Sequence, residues 1–454
     1  MIFNKINKVY LIGVGGIGMS ALARYFLSQG KLVEGYDRCS TPLTDTLISE
    51  GIKIHFDDDS RQMPLWVKEK MDEVLVIYTP AIPAGNRVLG LVRNLGFKVY
   101  KRSEVLGLIT KESYTIAIAG THGKTTTASI LAHILTETGY GCNAFLGGIA
   151  ANYNSNVVFD SDSKTVVVEA DEYDRSFLEL YPDIAIVTSM DADHLDIYGE
   201  KEQLDKSFHL FVSQIKSSGK LIRRIGLNLK GGITYSVSEE ANYRATEIRV
   251  ENGAFLFNLR HPNGILSDVE VGLPGIHNIE NAIAAFAVAS ELGIASDKII
   301  LALASFKGVK RRFEYHIKSN ELVYIADYAH HPKELKACIR SVRELYPDRK
   351  ITGIFQPHLY SRTRDFADAF AESLSELNEV ILLEIYPARE LPIEGVSSAM
   401  LLEKISISKK SLLQKKEVVE DLKDRKLEVL LTLGAGDIDQ LIEPIKHQLA
   451  ESTL

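Results

Sequence analysis

The sequence has few cysteines, no long apolar run and no excess of basic residues, and each shortage excludes a class of protein. Its three cysteines (Cys39, Cys142 and Cys338) are far apart in 454 residues, which argues against a disulfide framework or a zinc–thiolate site and favours a cytoplasmic location. No apolar run approaches the ~20 residues that a membrane-spanning helix needs, and the N-terminal segment lacks a signal-peptide cleavage region. The net charge of −8 argues against nucleic acid or an anionic membrane as a general partner.

The composition is that of a globular protein with several domains. Hydrophobic residues make up 45% and charged residues 25%, close to the average for folded proteins, and the length predicts about three domains. Strand and helix patterns alternate in three α/β blocks, which predicts parallel sheets and domains at 1–107, 108–313 and 314–454. Between about 220 and 272, short alternating segments with Gly and Asn turns predict added antiparallel β-structure.

A glycine-rich loop follows the first predicted strand. It has the spacing G-x-G-x-x-G, with Gly13, Gly15, Gly16 and Gly18. Such a loop lets a diphosphate approach the N-terminus of the next helix, and Asp37, at the end of the next predicted strand, takes the position of a ribose-binding acid. The pattern fits an NAD-binding domain, a site for another nucleotide, or a tight turn that needs small residues.

A second loop is typical of a phosphate-binding P-loop. It lies between a β-rich strand and a helix, and its residues are Gly120, Thr121, His122, Gly123, Lys124, Thr125 and Thr126. The backbone amides of such a loop surround phosphates, the lysine reaches the β- and γ-phosphates, and the first threonine hydroxyl can ligate Mg²⁺. Ile118 takes the place of the first glycine of the full G-x-x-x-x-G-K-[ST] pattern. Two nucleotide-type loops on separate sheets count against a simple dehydrogenase.

Acidic residues follow the next two predicted strands of the central block. Glu169 and Asp171 close one strand, and Asp193 with His194 follows the other. Carboxylates at the C-terminal ends of parallel strands lie where α/β folds bind ligands, and opposite a P-loop they would hold a divalent cation. An exposed acidic turn and a structural histidine are the alternatives.

Polar residues also cluster in later segments. Asn278 and Asn281, at the start of a small-residue helix, could read a purine edge or serve as turn and cap residues. The basic cluster at 307–312 is either a solvated linker or an anion-binding segment. In the third block, segments 327–332 and 356–362 each follow a strand, so we expect their side chains to converge on one crevice.

Taken together, these motifs resemble those of the Mur ligases. The motifs that carry the resemblance occur in order through all three blocks: G-T-H-G-K-T-T, E-A-D-E-Y-D, D-A-D-H, P-G-x-H-N-x-x-N, K-R-R-F-E, D-Y-A-H-H-P and F-Q-P-H-x-Y-S-R-T. The last two motifs and R-R-F-E are most similar to those of the family members that attach the first amino acid.

The resemblance implies three domains and an ATP-dependent ligation. A Rossmann-like N-terminal domain would bind a UDP-sugar, a central P-loop domain would bind ATP and Mg²⁺, and a Rossmann-like C-terminal domain would present the amino acid. The implied reaction, in peptidoglycan synthesis, joins L-alanine to the carboxylate of UDP-N-acetylmuramate through an acyl phosphate. The alternatives are a family ligase that attaches a recycled tripeptide, an NAD-dependent oxidoreductase, and a non-enzymatic ATP-gated binding protein.

The resemblance also implies roles for individual residues. Those implied in catalysis are Lys124, Glu169, His194, His330 and Arg362, with His330 the better candidate for the general base. Those implied in holding Mg²⁺ are Thr125, Glu169 and His194. Those implied in ATP binding are residues 120–126 with His277, Asn278, Asn281 and Asp327. The implied UDP-sugar site comprises Gly13, Gly15, Gly16, Gly18, Asp37 and His358, and the implied amino-acid site comprises Tyr328, His330 and Arg362.

Three positions depart from the family pattern. Leu359 stands where arginine is common, Ala326 replaces an aspartate, and Ser189 stands where asparagine often precedes D-x-D-H. We expect none of them to change the reaction class. Leu359, which removes one anion contact near the alanine carboxylate, is the position most able to alter amino-acid choice. A monomer and a homodimer both stay open.

Overall fold

Three β-sheets with flanking helices make up the part of the chain that the structure describes, as the strand–helix alternation predicts. The computed structural model describes residues 3, 5–68, 71–83, 85–191, 201–251, 254–388 and 390–451. The chain divides into two units, the first comprising Met1–Arg244, Leu259–Ile265 and Asn281–Leu303, and the second comprising Ala245–Asn258, Leu266–Glu280 and Ala304–Leu454. Within the described ranges, no helix combines the length and the apolar character needed to span a membrane.

The first sheet precedes the P-loop and carries the G-x-G-x-x-G loop. Its strands are β1 (Lys8–Ile12), β2 (Leu32–Tyr36), β3 (Lys53–His55), β4 (Val74–Tyr78) and β5 (Val99–Lys101). They pair in parallel in the order β3-β2-β1-β4-β5. The helices that accompany them are α1 (Ile17–Ser28), α2 (Pro42–Ser49), α3 (Arg87–Asn94) and α4 (Arg102–Lys111). The order reverses between β1 and β4, so the loop after β1 lies at the crevice where doubly wound sheets bind ligands.

The second sheet carries the P-loop. Its strands are β6 (Tyr114–Ala119), β7 (Asn143–Ala150), β8 (Ser155–Val158), β9 (Thr165–Ala170), β10 (Ile184–Val187), β11 (Lys220–Arg224), β12 (Ile233–Ser236), β13 (Tyr243–Glu251), β14 (Ala254–His261) and β15 (Gly264–Val271). Their order is β15-β14-β13-β12-β11-β10-β6-β9-β7-β8. The helices that follow in the chain are α5 (Lys124–Glu137), α6 (Lys201–Ser213), α7 (Ile276–Glu291) and α8 (Ser296–Ser305).

Strand directions in this sheet correct part of the sequence prediction. The strands β10 to β13 pair in parallel, for example Ile222 with Ile233, although the turn-rich pattern predicts antiparallel structure from about residue 220. The loop at 225–232 returns the chain without a helix, so in sequence it looks like a hairpin connection. From β13 to β15 the neighbouring strands are joined by two residues each, which only antiparallel strands allow, so the antiparallel prediction is confirmed there.

Buried polar contacts fix the start of α1 against the second sheet. Asn156, on β8, donates from Nδ2 to the carbonyl oxygen of Ile17 at 2.6 Å and to the hydroxyl of Ser20 at 3.0 Å. Its Oδ1 accepts a hydrogen bond from Arg24, which also binds both carboxylate oxygens of Glu50 at 2.7 and 2.8 Å. Because burial makes unpaired polar atoms costly, these paired groups define how the helix after the G-x-G-x-x-G loop sits on the sheet.

The third sheet brings the two polar segments of the last block to one edge. Its strands are β16 (Glu314–Lys318), β17 (Val323–Asp327), β18 (Ile351–Phe355), β19 (Glu379–Leu382), β20 (Lys410–Leu412) and β21 (Val429–Leu433), in the order β16-β17-β21-β18-β19-β20. Only β16 pairs in an antiparallel direction among the described strands of this sheet. The helices are α9 (Pro332–Leu345), α10 (Tyr360–Asp365), α11 (Ala367–Leu374), α12 (Ser398–Lys404), α13 (Val418–Asp421) and α14 (Ile442–Glu451). Since β17 and β18 both run parallel to β21, the residues after each strand meet at the same edge.

Candidate functional site

The P-loop turns sharply at two glycines between β6 and α5. Gly120 has a φ of +136° and Gly123 a φ of +84°, both in the region that favours glycine. A Cβ atom at Gly120 would collide with Oγ1 of Thr188, and one at Gly123 would lie 2.6 Å from Oδ1 of Asn281. Both glycines are therefore required by the backbone conformation and by the close approach of a neighbouring side chain.

Two hydroxyl residues after β10 support the P-loop. Ser189 Oγ accepts the backbone N–H of His122 at 2.8 Å and lies 2.9 Å from Oγ1 of Thr121. Thr188 Oγ1 donates to the carbonyl oxygen of Ala119 at 3.2 Å and to that of His122. Ser189 thus binds the loop even though the family often has asparagine at this position.

Lys124 forms a buried ion pair at the start of α5. Its Nζ atom lies 2.7 Å from Oε2 of Glu172 and donates to the carbonyl oxygen of Gly120 at 2.7 Å. Burial lowers the pKa of the lysine, but the carboxylates of Glu172, Asp171 and Glu169 outweigh that effect and raise its pKa overall. Lys124 therefore keeps the positive charge that phosphate binding needs.

Thr125 and Glu169 bring two oxygen ligands together beside Lys124. Thr125 Oγ1 donates to Glu169 Oε2 at 3.0 Å, and the backbone N–H of Gly147 donates to the other carboxylate oxygen. Burial raises the pKa of Glu169, against the effect of Gly147, Lys124 and Thr125. Hydroxyl and carboxylate oxygens suit Mg²⁺, and no group of three or more His, Cys, Asp or Glu forms a metal site in the described residues. The chemistry of the two oxygens therefore suits Mg²⁺, and Mg²⁺ binding at this pair stays a prediction.

Asp37 shapes the G-x-G-x-x-G loop directly. The N–H of Gly15 donates to Asp37 Oδ2 at 2.7 Å, and the N–H of Arg38 donates to Oδ1 at 2.7 Å. The N–H of Gly13 donates to the carbonyl oxygen of Tyr36 at 2.7 Å. Asp37 thus holds the loop from the next strand, and its contact with a ribose stays a prediction.

The start of α7 presents His277 and Asn278. Asn278 Nδ2 donates to the carbonyl oxygen of Pro274 at 2.7 Å, which favours the turn interpretation for this amide. Burial, with Arg312 nearby, lowers the pKa of His277 to about 4, although Glu334 opposes the shift. His277 is therefore neutral at pH 7. Contacts of either residue with ATP stay a prediction.

Asp327 ends β17 as a buried hydrogen-bond acceptor. Its carboxylate accepts the backbone N–H groups of Phe313 and Ala329, each at 2.7 Å. Burial raises the pKa of Asp327 to about 6, while Arg312 and the two amides act in the opposite direction. The carboxylate is thus held in one orientation at the same sheet edge as the segment after β18.

Two neutral histidines meet at that edge. The rings of His330 and His358 are 6.0 Å apart, centre to centre. Burial lowers the pKa of both, and Arg362 lowers it further, so that His358 has a pKa of about 4. At His330 the Glu334 carboxylate, 3.3 Å from Nδ1, opposes the shift, but the pKa is lowered overall. His330 Nδ1 lies 3.0 Å from the carbonyl oxygen of Tyr328, which can only accept, so Nδ1 carries the proton and Nε2 keeps its lone pair.

Two guanidinium groups flank Tyr328. The Cζ atoms of Arg311 and Arg312 lie 4.8 and 4.9 Å from the centre of its ring. Arg311 also binds the Asp439 carboxylate at 3.0 Å and the carbonyl oxygen of Gly434 at 3.1 Å. The basic cluster at 307–312 is therefore more than a solvated linker, because two of its members pack on a predicted site residue.

The predicted site residues are divided between the two units. Those in the first are Gly13, Gly15, Gly16, Gly18, Asp37, residues 120–126, Glu169 and Asn281. Those in the second are His277, Asn278, Asp327, Tyr328, His330, His358 and Arg362. Asp193 and His194 lie outside the described residues, so the part of His194 in metal binding stays a prediction. Below, Lys124, Thr125, Glu169 and Glu172 are called the P-loop cluster, and Tyr328, His330, His358 and Arg362 the histidine cluster.

Some residues of the P-loop cluster and its surroundings are not evident from the motifs. Glu172 belongs to E-A-D-E-Y-D, but nothing in that motif indicates that it pairs with Lys124. Gly147 binds the Glu169 carboxylate and Thr188 binds the P-loop, through contacts that only the fold creates. The one sequence signal for Gly147 is the pair Gly147–Gly148 in β7, next to the strand β9 that carries Glu169. Such a pair indicates that another group approaches the backbone closely.

Family models match nearly the whole chain. The model described as "Mur ligase family, catalytic domain" matches residues 8–114, "Mur ligase middle domain" matches 118–289, and "Mur ligase, glutamate ligase domain" matches 311–438. The G-x-G-x-x-G loop, the P-loop and the histidine cluster thus each fall within one of the three matches.

Named relatives and solved structures are similar over the full length. The UDP-N-acetylmuramate–L-alanine ligases of Christiangramia forsetii and Flavobacterium psychrophilum are 50% and 51% identical, over 98% and 99% of this chain and 98% and 100% of theirs. The crystal structure of UDP-N-acetylmuramate–alanine ligase from Thermotoga maritima superposes with a TM-score of 0.84 at 26% identity, covering 98% of this chain and 99% of that one. A murein peptide ligase from Psychrobacter arcticus, at 23% identity and a TM-score of 0.71, covers 97% and 98% and shares the fold.

Proposed function

The chain belongs to the Mur ligase family, and we propose that it joins L-alanine to the carboxylate of UDP-N-acetylmuramate while converting ATP to ADP and phosphate. The observation that carries the proposal is about 50% identity over the full chain to relatives that bear this name. The P-loop and histidine clusters supply groups suited to the two chemical steps. A cytoplasmic location and the choice between monomer and homodimer stay predictions.

The first step suits the P-loop cluster. A carboxylate acylates poorly, so its oxygen first attacks the γ-phosphorus of ATP, ADP leaves, and an acyl phosphate forms. The permanently charged Lys124 would stabilise the transferring phosphoryl group. Glu172, whose Oε2 lies 2.7 Å from Lys124 Nζ, would keep the ammonium group in place for this step.

Thr125 and Glu169 are the residues that would hold Mg²⁺. Their oxygens lie 3.0 Å apart, and Gly147 fixes the carboxylate from the other side. When bound, the ion supplies positive charge against the phosphate oxygens. His194 would complete the predicted set of ligands.

The second step suits the histidine cluster. The amine of alanine must be neutral to attack the acyl phosphate carbonyl, after which phosphate leaves through a tetrahedral intermediate. His330 is neutral with a free Nε2 lone pair, so it can accept the proton of the amine. Tyr328 and Arg362 would orient the amino acid, with the Arg362 guanidinium as the partner for its carboxylate.

The nucleotide substrates would contact the two glycine-rich loops as well as residues of the two clusters. The UDP part of UDP-N-acetylmuramate would lie on the G-x-G-x-x-G loop, which Asp37 shapes, and His358 would lie beside the muramoyl group. ATP would contact residues 120–126, with Asn281 behind Gly123. Contacts of His277, Asn278 and Asp327 with ATP belong to the same proposal.

A substrate panel tests the proposed function. Phosphate release would be measured with ATP, Mg²⁺ and UDP-N-acetylmuramate plus L-alanine, glycine, L-serine or L-Ala-γ-D-Glu-diaminopimelate, and products would be weighed by mass spectrometry. We expect L-alanine to give the fastest release and a product heavier by one alanine residue. If product forms with the tripeptide but with none of the amino acids, the chain is the tripeptide ligase instead. If no acceptor stimulates phosphate release, the ligase assignment is refuted.

A further inference from the structure

Arg102, the first residue of α4, lies directly on the backbone of the G-x-G-x-x-G loop. A Cβ atom at Gly18 would lie 3.0 Å from both Cδ and Nη1 of Arg102 and 3.2 Å from its Nε. These are close contacts along the outer part of the side chain, including the guanidinium group. Gly18, the last glycine of the motif, therefore provides the space in which the Arg102 side chain rests.

Within the ranges that the structure describes, the Arg102 guanidinium forms neither an ion pair nor a hydrogen bond with the protein. Its immediate neighbour, the first turn of α1, has no acidic residue, and the N-cap Gly16 offers no side-chain acceptor to the free amides of that turn. Positive groups gathered without an acceptor are suited to bind an anion.

Arg102 also faces the P-loop cluster. It lines a crevice together with Ser103, Leu106, Glu169, Asp171 and the segment 176–180, all within the first unit. The Arg102 side chain thus borders the G-x-G-x-x-G loop at Gly18 and a crevice that also contains Glu169 and Asp171.

We propose that Arg102 is a substrate-binding residue that contacts the diphosphate of the UDP-sugar at the G-x-G-x-x-G loop. The proposal rests on the proposed function, which places the UDP part of the substrate on this loop. A guanidinium can bind two phosphate oxygens at once, so it would fix both the position and the orientation of the diphosphate. Glycine at position 18 then leaves room for the arginine beside the first turn of α1.

Isothermal titration calorimetry with UDP tests this proposal, because it measures UDP affinity and does not require the enzyme to turn over. Arg102→Gln should weaken UDP binding by about 10- to 100-fold, the usual effect of losing hydrogen bonds to a charged group, and Arg102→Lys should fall between that variant and wild type. Uridine, which has no phosphate, should bind wild type and Arg102→Gln equally. Arg260→Gln, which removes an exposed arginine from β14, is the matched control and should bind UDP like wild type.

Gly18→Ala gives a second, independent test. The added methyl group should displace Arg102 and weaken UDP binding, but it should cause little further loss in a protein that already carries Arg102→Gln. Thermal melting of each variant shows that it is folded. Equal UDP affinity of wild type and Arg102→Gln would overturn the proposal, as would a loss seen only with UDP-N-acetylmuramate and not with UDP. Absence of UDP binding by wild type would instead contradict the proposed function.

Discussion

The P-loop cluster and the histidine cluster have opposite effects on the charge of their buried ionisable side chains. Around Lys124, carboxylates outweigh the effect of burial and keep the ammonium group charged. Around His358, burial and the neighbouring His330 and Arg362 act together and lower the pKa to about 4. The first environment maintains a positive charge, and the second keeps imidazoles neutral. In the function we propose, the charge of Lys124 would serve phosphoryl transfer, and the neutral His330 beside His358 would accept the proton of the amine.

The backbone differs between the two clusters as well. The positive φ angles of the P-loop fall on glycines, Gly120 and Gly123, which adopt them without strain. Near the histidine cluster they fall on Arg311, Phe313 and Leu359, with φ of +63°, +50° and +71°. Such conformations are costly for residues with a side chain, so surrounding contacts must hold them in place.

Removing the charge of the P-loop cluster should have the largest effect. Lys124→Ala should lower acyl-phosphate formation by about 10²–10³-fold, because one preorganised group that stabilises the transferring charge is lost. The intermediate would be trapped with hydroxylamine in the presence of ATP, Mg²⁺ and UDP-N-acetylmuramate, without alanine. Lys404→Ala, which breaks an exposed ion pair with Asp368, is the control and should behave like wild type.

A variant of the histidine cluster completes this comparison. His330→Gln should leave the trapped acyl phosphate near the wild-type level and lower alanine-dependent product formation by about 10²-fold or more. Loss of the acyl phosphate in His330→Gln would show that the two clusters do not divide the reaction as we propose.

Glu172→Gln should reveal what the buried ion pair contributes to stability. Removing the negative partner in direct contact leaves the buried Lys124 charge with only the more distant carboxylates of Asp171 and Glu169, which should lower the free energy of unfolding by about 3 kcal/mol. Mg²⁺ with ADP should recover part of the loss, because phosphates replace the carboxylate. Urea denaturation with and without nucleotide measures both effects, and Asp368→Asn, at an exposed ion pair, should change stability by less than about 1 kcal/mol. An unchanged midpoint for Glu172→Gln would contradict a stabilising role.

The contacts within the clusters could be predicted from the sequence only where a motif lies at the end of a buried strand. The proximity of Thr125 and Glu169 follows from two neighbouring parallel strands, and the structure confirms it at 3.0 Å. The meeting of segments 327–332 and 356–362 follows in the same way.

The remaining contacts depend on packing between distant segments. Arg102 lies on Gly18 because α4 and α1 pack together, and no local pattern encodes that contact. The parallel direction of β11 to β13 was hidden because its short connecting loop looks like a hairpin. For His194, which lies outside the described residues, the prediction stays untested.

Stability should depend on pH through His358. Its pKa is about 4 in the folded protein and about 6.5 in an unfolded chain, so between these values only the unfolded chain binds the proton. Stability should therefore fall as the pH is lowered from about 6.5 to about 4. His358→Asn should reduce this fall by about 1–2 kcal/mol, a figure discounted for partial exposure of the ring.

Urea denaturation of wild type and His358→Asn at pH 7.5 and pH 5 checks the prediction. Asp327 titrates with the opposite sign in the same range, since its pKa is raised to about 6, but its contribution cancels between the two proteins. His209→Asn removes an exposed histidine from α6 and controls for the loss of an imidazole as such. Identical pH dependence of wild type and His358→Asn would show that the histidine is not held neutral by the fold.

The smallest expected effect concerns the backbone at Leu359. Leu359→Gly and Leu359→Ala lose nearly the same side chain, but only glycine adopts a φ of +71° without strain, so the glycine variant should be more stable by about 1 kcal/mol. The same pair at Leu301, exposed on α8, should show the reverse order by about 1 kcal/mol, because alanine favours a helix over glycine. Urea denaturation of the four variants measures the two differences. If alanine is the more stable replacement at both positions, the backbone at Leu359 is not strained. The proposed difference in backbone strain between the histidine cluster and the P-loop would then be wrong.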